Sequence, residues 1–215
     1  MPLQNRVGPD GVIEAVAARG TLMGNRGGCI HTDDRRLKRR HWASDRWICC
    51  LLEFRGRRRV PMSPGLYTEL FFLDEATALA AGHRPCFECR RADAERFRSL
   101  WPGQSTLSAP EMDAMLHAER LTPADTKKTW TCRLELLPAG SMFRDGAGMS
   151  LLAGDGLELT WSHEGYSDAR PVRSAATVEV LTPPSIVAIL SAGYRPMLHP
   201  TATDLIASPT RGPLP

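Results

Sequence analysis

The chain has 215 residues, 42% of them hydrophobic and 24% charged, with a net charge of +3. That is the composition of a globular protein with room for one large domain or two small ones. No apolar run is long enough to cross a bilayer, and MPLQNRVGPDG lacks the apolar stretch of a secretion signal, so the expected compartment is the cytoplasm. Thiols stay reduced there, and six cysteines then point to metal binding or buried thiols, not to a disulfide framework.

Charge is unevenly placed. Residues 26 to 59 carry eleven Arg or Lys against four acids, a local excess of seven in a chain whose total is +3. A basic field of this kind attracts polyanions.

Residues 1 to 20 are weakly patterned and predict a loop and a strand. In Thr21 to His31, glycines around Asn25 and Arg26 predict a tight turn between short strands. Such a turn can also bring amides to an anion, with Arg26 assisting. Residues 33 to 47, DDRRLKRRHWASDRW, read either as a solvated basic face or as a phosphate-contacting arm with an indole for stacking. Residues 47 to 54 predict a strand, Arg55 to Arg57 its turn and Arg58 to Val60 a returning strand. Cys50 shares a face with Ile48, Leu52 and Phe54, the more apolar and expected inner face, whereas Cys49 points the other way with Leu51 and Glu53.

The stretch from 67 to 92 carries most information. Tyr67 to Leu73 is aromatic and predicts a strand. Asp74 is placed to cap a short Ala/Leu helix that Gly82 ends, and Pro85 keeps it ended. Cys86 and Cys89 follow with two residues between them, a spacing that lets both sulfurs reach one tetrahedral metal, with zinc as its usual occupant. Buried thiols or a redox pair are the alternative. Zinc takes four ligands, and Cys29, His31, His41, Cys49 and Cys50 are upstream candidates, with His83 and Cys132 as further options. Cys50 and His31 are the preferred pair.

After the knuckle, residues 90 to 101 predict an amphipathic helix, and Ser108 with Glu111 a capping box opening a helix to about Arg120. Thr122-Pro123 suggests a further helical turn. From Trp130 the pattern becomes short strands at 132–137, 149–152, 157–161 and 177–181, with glycines between them. A helix follows at 185–192. The expected organisation is a zinc-binding region at 1–128, a β-rich unit at 129–198 and a mobile tail at 199–215. The expected class is α+β, with a small antiparallel sheet beside the knuckle.

The run FFLDEATALAAGHRPCFECRR resembles the second half of the zinc domain of Ada-type DNA alkylation-repair proteins. Ala80, Ala81, Gly82, Arg84, Pro85, Cys86 and Cys89 carry the likeness, with His83 in an aromatic's place. The resemblance implies a zinc held by four cysteines, DNA binding, and a thiolate that accepts a methyl group from a backbone phosphotriester. Upstream the chain departs from that pattern, since Cys49 and Cys50 are adjacent and no Cys-x-x-x-Cys pair precedes the knuckle.

The expected function is zinc-dependent binding of nucleic acid, DNA ahead of RNA. The residues expected to contact it are Arg26, Arg35, Arg36, Lys38, Arg39, Arg40, Trp42, Arg57, Arg58, Arg59, Arg84 and Arg90. The alternatives are an enzyme that uses the site for alkyl acceptance or metal-assisted hydrolysis, and a zinc-stabilised scaffold. Glu69, Glu75, His83 and Glu88 are the candidate acids or bases of the hydrolytic version.

Overall fold

The fold closes on the short helix α1 (Glu75–Ala80). In this computed structural model, which describes residues 1–57, 60–103, 107–173 and 175–208, every side chain of α1 is buried. Asp74 caps it, its Oδ1 accepting from the Thr77 amide at 2.9 Å and the Thr77 hydroxyl at 2.8 Å. The helix stops in a paired turn. The Gly82 N–H donates to Leu79 O and the His83 N–H to Ala78 O, both at 2.9 Å, and Gly82 takes a φ of +89°. A side chain at Gly82 would also meet Arg120, with its Cβ 2.6 Å from Arg120 Cδ. Alanines suit α1 because other elements crowd it on three sides. Ala76 and Ala80 face one sheet, Ala78 faces another, and Leu79 meets three helices.

The first sheet holds β1 (Arg6–Val7), β2 (Ile13–Glu14), β3 (Leu22–Arg26), β4 (Trp47–Leu51), β5 (Leu70–Phe72) and β6 (Arg84–Pro85), in the order β2-β1-β5-β3-β4-β6. It is mixed, not antiparallel throughout, because β1 pairs with β5 and β4 with β6 in parallel. The glycines near Asn25 do not make the expected turn. Gly24 lies mid-strand in β3, where a Cβ would sit 2.2 Å from Ile48 O and 2.8 Å from the Phe72 ring. It is a close-approach glycine, and the chain turns afterwards at Gly27, at a φ of +83°.

The second sheet is antiparallel: β7 (Trp130–Arg133), β8 (Met142–Asp145), β9 (Gly148–Leu152), β10 (Leu157–Ser162), β11 (Gly165–Pro171) and β12 (Thr177–Val180), ordered β11-β10-β9-β8-β12-β7. The remaining helices are α2 (Arg91–Ser99), α3 (Ala109–Arg120), α4 (Pro184–Ser191) and α5 (Pro200–Ala207). Ser108 and Glu111 form the expected capping box on α3. Thr122 to Lys127 is a turn closed by a Leu121–Lys127 bridge and not a helical one. Where a mobile tail was expected, α5 packs Ala202, Leu205 and Ile206 onto the core of the second sheet; residues 209–215 lie outside the described residues. The protein is thus α+β, with two six-stranded sheets and five helices among the described residues. No helix among the described residues is long and apolar enough to cross a membrane.

The chain's return to α1 fastens the two sheets together. Asp74 Oδ2 accepts from the Tyr166 hydroxyl at 2.9 Å and the His199 amide at 3.1 Å. Glu75 accepts from the Tyr194 hydroxyl at 2.7 Å, the Met197 amide at 2.9 Å and Arg90 Nη2 at 2.8 Å.

Candidate metal centre

Three elements bring the sulfurs together. Strand β4 places Cys50 opposite Met23, and Cys49 opposite Gly24. On its other edge β4 pairs in parallel with β6, Cys49 beside Pro85, and the Cys86 amide then donates to Cys49 O at 3.0 Å. The Arg90 amide donates to Cys86 O at 3.0 Å, which curls 86–90 into a knuckle leading into α2. As a result the Sγ atoms of Cys50, Cys86 and Cys89 all lie within 4.8 Å of one another, close enough to hold a metal ion. Among the described residues, no His, Asp, Glu or further Cys joins this group.

The knuckle is electrostatically prepared for anionic sulfur. The Glu88 amide points at Cys86 Sγ at 3.4 Å. Hydrogen bonds from Cys50 and Cys89 hold the Cys86 thiol far below its usual range, while the same sulfur contacts and then burial push Cys50 far above it. The three thiols therefore share protons as one unit, and a cation is the natural replacement for those protons. Cys49 differs. It is fully buried, its Sγ 3.6 Å from Arg90 Nη1, and burial pushes its thiol upward. Cys50 meets the knuckle because it faces a groove; the inner, core-facing position belongs to Cys49, the reverse of the expected assignment of faces.

His31 does not join the thiols. Its Nδ1 pairs with the Thr68 hydroxyl at 2.6 Å and its Nε2 with Ser63 O at 3.2 Å, which occupies both ring nitrogens in a buried site. Cys29 lies beside it, 3.3 Å from His31 O. Of the candidate acids and bases, Glu75 is consumed by the donors named above. Glu69 is buried with Oε2 on the Met62 amide at 2.8 Å, and Glu88 is paired with Arg57 at 2.6 Å. His83 is fully buried against Trp47 and Phe72.

The expected nucleic-acid contacts divide into two groups. Arg26, Arg84 and Arg90 are interior. Arg26 donates to Gly11 O at 2.8 Å and lies 4.0 Å from the centre of the Trp47 indole, and burial pushes its guanidinium down to about 9. Arg84 grips Asp113 with two bonds, at 2.8 and 2.7 Å. Arg90 is held by Glu75 and Asp93. These three satisfy internal acceptors and present no cation to a phosphate. By contrast Arg35, Arg36, Lys38, Arg39 and Arg40 are exposed. Trp42 is half-buried, with Arg40 3.3 Å above its ring and His117 edge-on at 4.5 Å, so its indole is engaged within the chain. Arg57 is exposed at the groove; Arg58 and Arg59 lie outside the described residues.

Two hollows flank the sulfurs. One, about 680 Å³, is lined by Cys50, Cys86 and Cys89 together with Met23, Ile48 and Phe54. The other, about 600 Å³, runs from Ser44 and Arg46 to Cys86 and Phe87. Met23, Arg19 and Phe71 line the first hollow and were not singled out from sequence. For Met23 the signal was the alternation along 22–26, hidden by the turn-like glycines. Comparison of the chain with protein-family models, with curated proteins and with solved structures finds no match in any of the three.

Proposed function

We propose that this chain is a zinc-thiolate protein that binds DNA through the exposed basic arm at 35–40. The observation that carries the reading is the convergence of Cys50, Cys86 and Cys89 from a strand and a knuckle into one group. Soft thiolates on a rigid knuckle favour zinc over magnesium or calcium, which want oxygen. For the DNA half, support comes from the exposure of Arg35, Arg36, Lys38, Arg39 and Arg40, a run in which Arg36 is shared with Asp34 at the surface, because exposed cations can release counterions from a phosphate backbone. Arg46, six residues past this arm, lines the same cleft as Cys86. The Ada-type resemblance over residues 67–92 points the same way.

Metal analysis of the purified chain, with anomalous scattering at the zinc edge, tests the first half. Stoichiometric zinc next to Cys50, Cys86 and Cys89 is expected, and its absence overturns the reading. Fluorescence anisotropy with a labelled duplex at low and physiological salt tests the second. Binding that weakens steeply with salt is expected, and no binding at low salt overturns it.

A further inference from the structure

Among the described residues the cysteine group is one donor short of a closed tetrahedral site, and it opens onto a hollow. Cys50, Cys86 and Cys89 contribute to the wall of the 680 Å³ groove, which is within the size range of small-molecule sites. The rest of the wall mixes apolar side chains, Met23, Ile48, Leu52, Phe54 and Phe71, with the acids Glu53, Glu69 and Glu88. Arg19 and Arg57 stand in the same lining, Arg57 already shared with Glu88. A structural zinc site takes all four ligands from protein, whereas a site that handles a ligand keeps one place open.

We infer that this groove is the binding site of a small thiol with an apolar body, whose sulfur supplies the fourth donor beside Cys50, Cys86 and Cys89. The inference rests on the metal half of the function proposed above. When bound, the ion supplies an electrophilic point that accepts a fourth donor. Everything else comes from the chain. Three anionic sulfurs already outweigh a divalent cation, leaving a net charge of about −1. So crowded with negative charge, the site polarises an oxygen donor weakly, which argues against hydrolytic use, and its softness favours another sulfur. The apolar side chains of the wall suit a hydrocarbon or aromatic body, and its three glutamates disfavour an anionic one. On binding, the thiol's S–H bond breaks, its proton passes to solvent, and the sulfur keeps the electron pair that it donates.

The test uses the full chain loaded with Co2+ in place of zinc, titrated with 2-phenylethanethiol and, separately, with 2-phenylethanol. The expected result is a saturable rise of about one third in sulfur-to-cobalt absorbance per cobalt, as three thiolates become four, with retained visible bands and about one proton released per site. The alcohol leaves the spectrum unchanged. A Met23→Trp variant, which fills the groove, keeps the three-thiolate cobalt spectrum and loses the thiol response. Cobalt bound with no thiol response, an equal response to the alcohol, or bleaching of the visible bands as metal is stripped overturns the inference while leaving the metal site standing. Failure of the chain to take up cobalt at all overturns both. The response persisting undiminished in Met23→Trp overturns the assignment to this groove.

Discussion

Arg90 follows directly on Cys89 and joins the knuckle to the chain's return, so its removal measures what that junction contributes. Its side chain is 3% exposed and that of Glu75 is 1% exposed, with 2.8 Å between Nη2 and Oε2. Arg90→Met takes the cation away and leaves the Glu75 carboxylate buried with only the Tyr194 hydroxyl and the Met197 amide. Breaking a buried pair from one side costs about 3–5 kcal/mol, because the remaining charge is uncompensated. Two surviving donors place this case at the lower end, about 3 kcal/mol. For a chain of this size that lowers Tm by roughly 6–12 °C. Adding Glu75→Gln removes the stranded charge, and the double variant should recover about 2 kcal/mol. Urea unfolding of the zinc-loaded chain, followed by tryptophan fluorescence and by circular dichroism, gives both numbers. A cost below about 1 kcal/mol for Arg90→Met, or a double variant less stable than the single one, refutes the reasoning.

Zinc content should fall to background in Cys86→Ser and Cys89→Ser and stay stoichiometric in Cys29→Ser and Cys132→Ser, as read by metal analysis after gel filtration; full zinc in Cys86→Ser contradicts the proposed ligands. Alanine at Arg35, Arg36, Arg39 and Arg40 together should flatten the plot of log affinity for duplex against log salt by up to about 3.6, since each lost phosphate contact removes about 0.9. An unchanged slope rejects the arm as the contact surface. His83 gives a pH signature. Burial first, then the charges of Arg26 and Arg120, hold it well below its ordinary value of 6.5. The unfolded chain takes up a proton as pH drops through 6.5 and the folded chain does not, so the stability present above 6.5 is lost as pH falls toward the folded value. The urea midpoint of His83→Phe, measured from about pH 7.5 to about pH 5, should therefore decline less than that of the parent, and parallel declines reject this account.

Local chemistry was legible where one residue type had one structural use. Asp74 as a cap, Gly82 as a left-handed stop, Ser108 with Glu111 as a capping box and Cys86 with Cys89 as a knuckle all stand where the sequence puts them. What escaped depends on long-range pairing. The parallel contact of β4 with β6 decides which cysteine faces the knuckle, and nothing local to Cys49-Cys50 encodes it. The arginines misled for a related reason. A guanidinium reads as surface charge until its acceptor is known, and Asp113, Glu75 and Gly11 O, which hold Arg84, Arg90 and Arg26 inside, are 29, 15 and 15 residues away. Strand β11, GYSDARP, is too polar to announce itself; it pairs along one edge with β10, and five of its seven residues are not buried enough to demand apolar side chains.

The placement of α1 has a consequence for dissecting the molecule. Its alanines present one surface to β3 and β5 and another to β8 and β10, so each sheet uses a different face of the same short helix as its floor. A fragment ending at residue 128 would keep that floor but expose Leu73, Ala76 and Ala80 to water, and the complementary fragment would have no floor at all. Neither piece is then a self-sufficient folding unit. Mixing the separately produced halves should yield soluble material that neither half gives alone, as light scattering and co-purification can show.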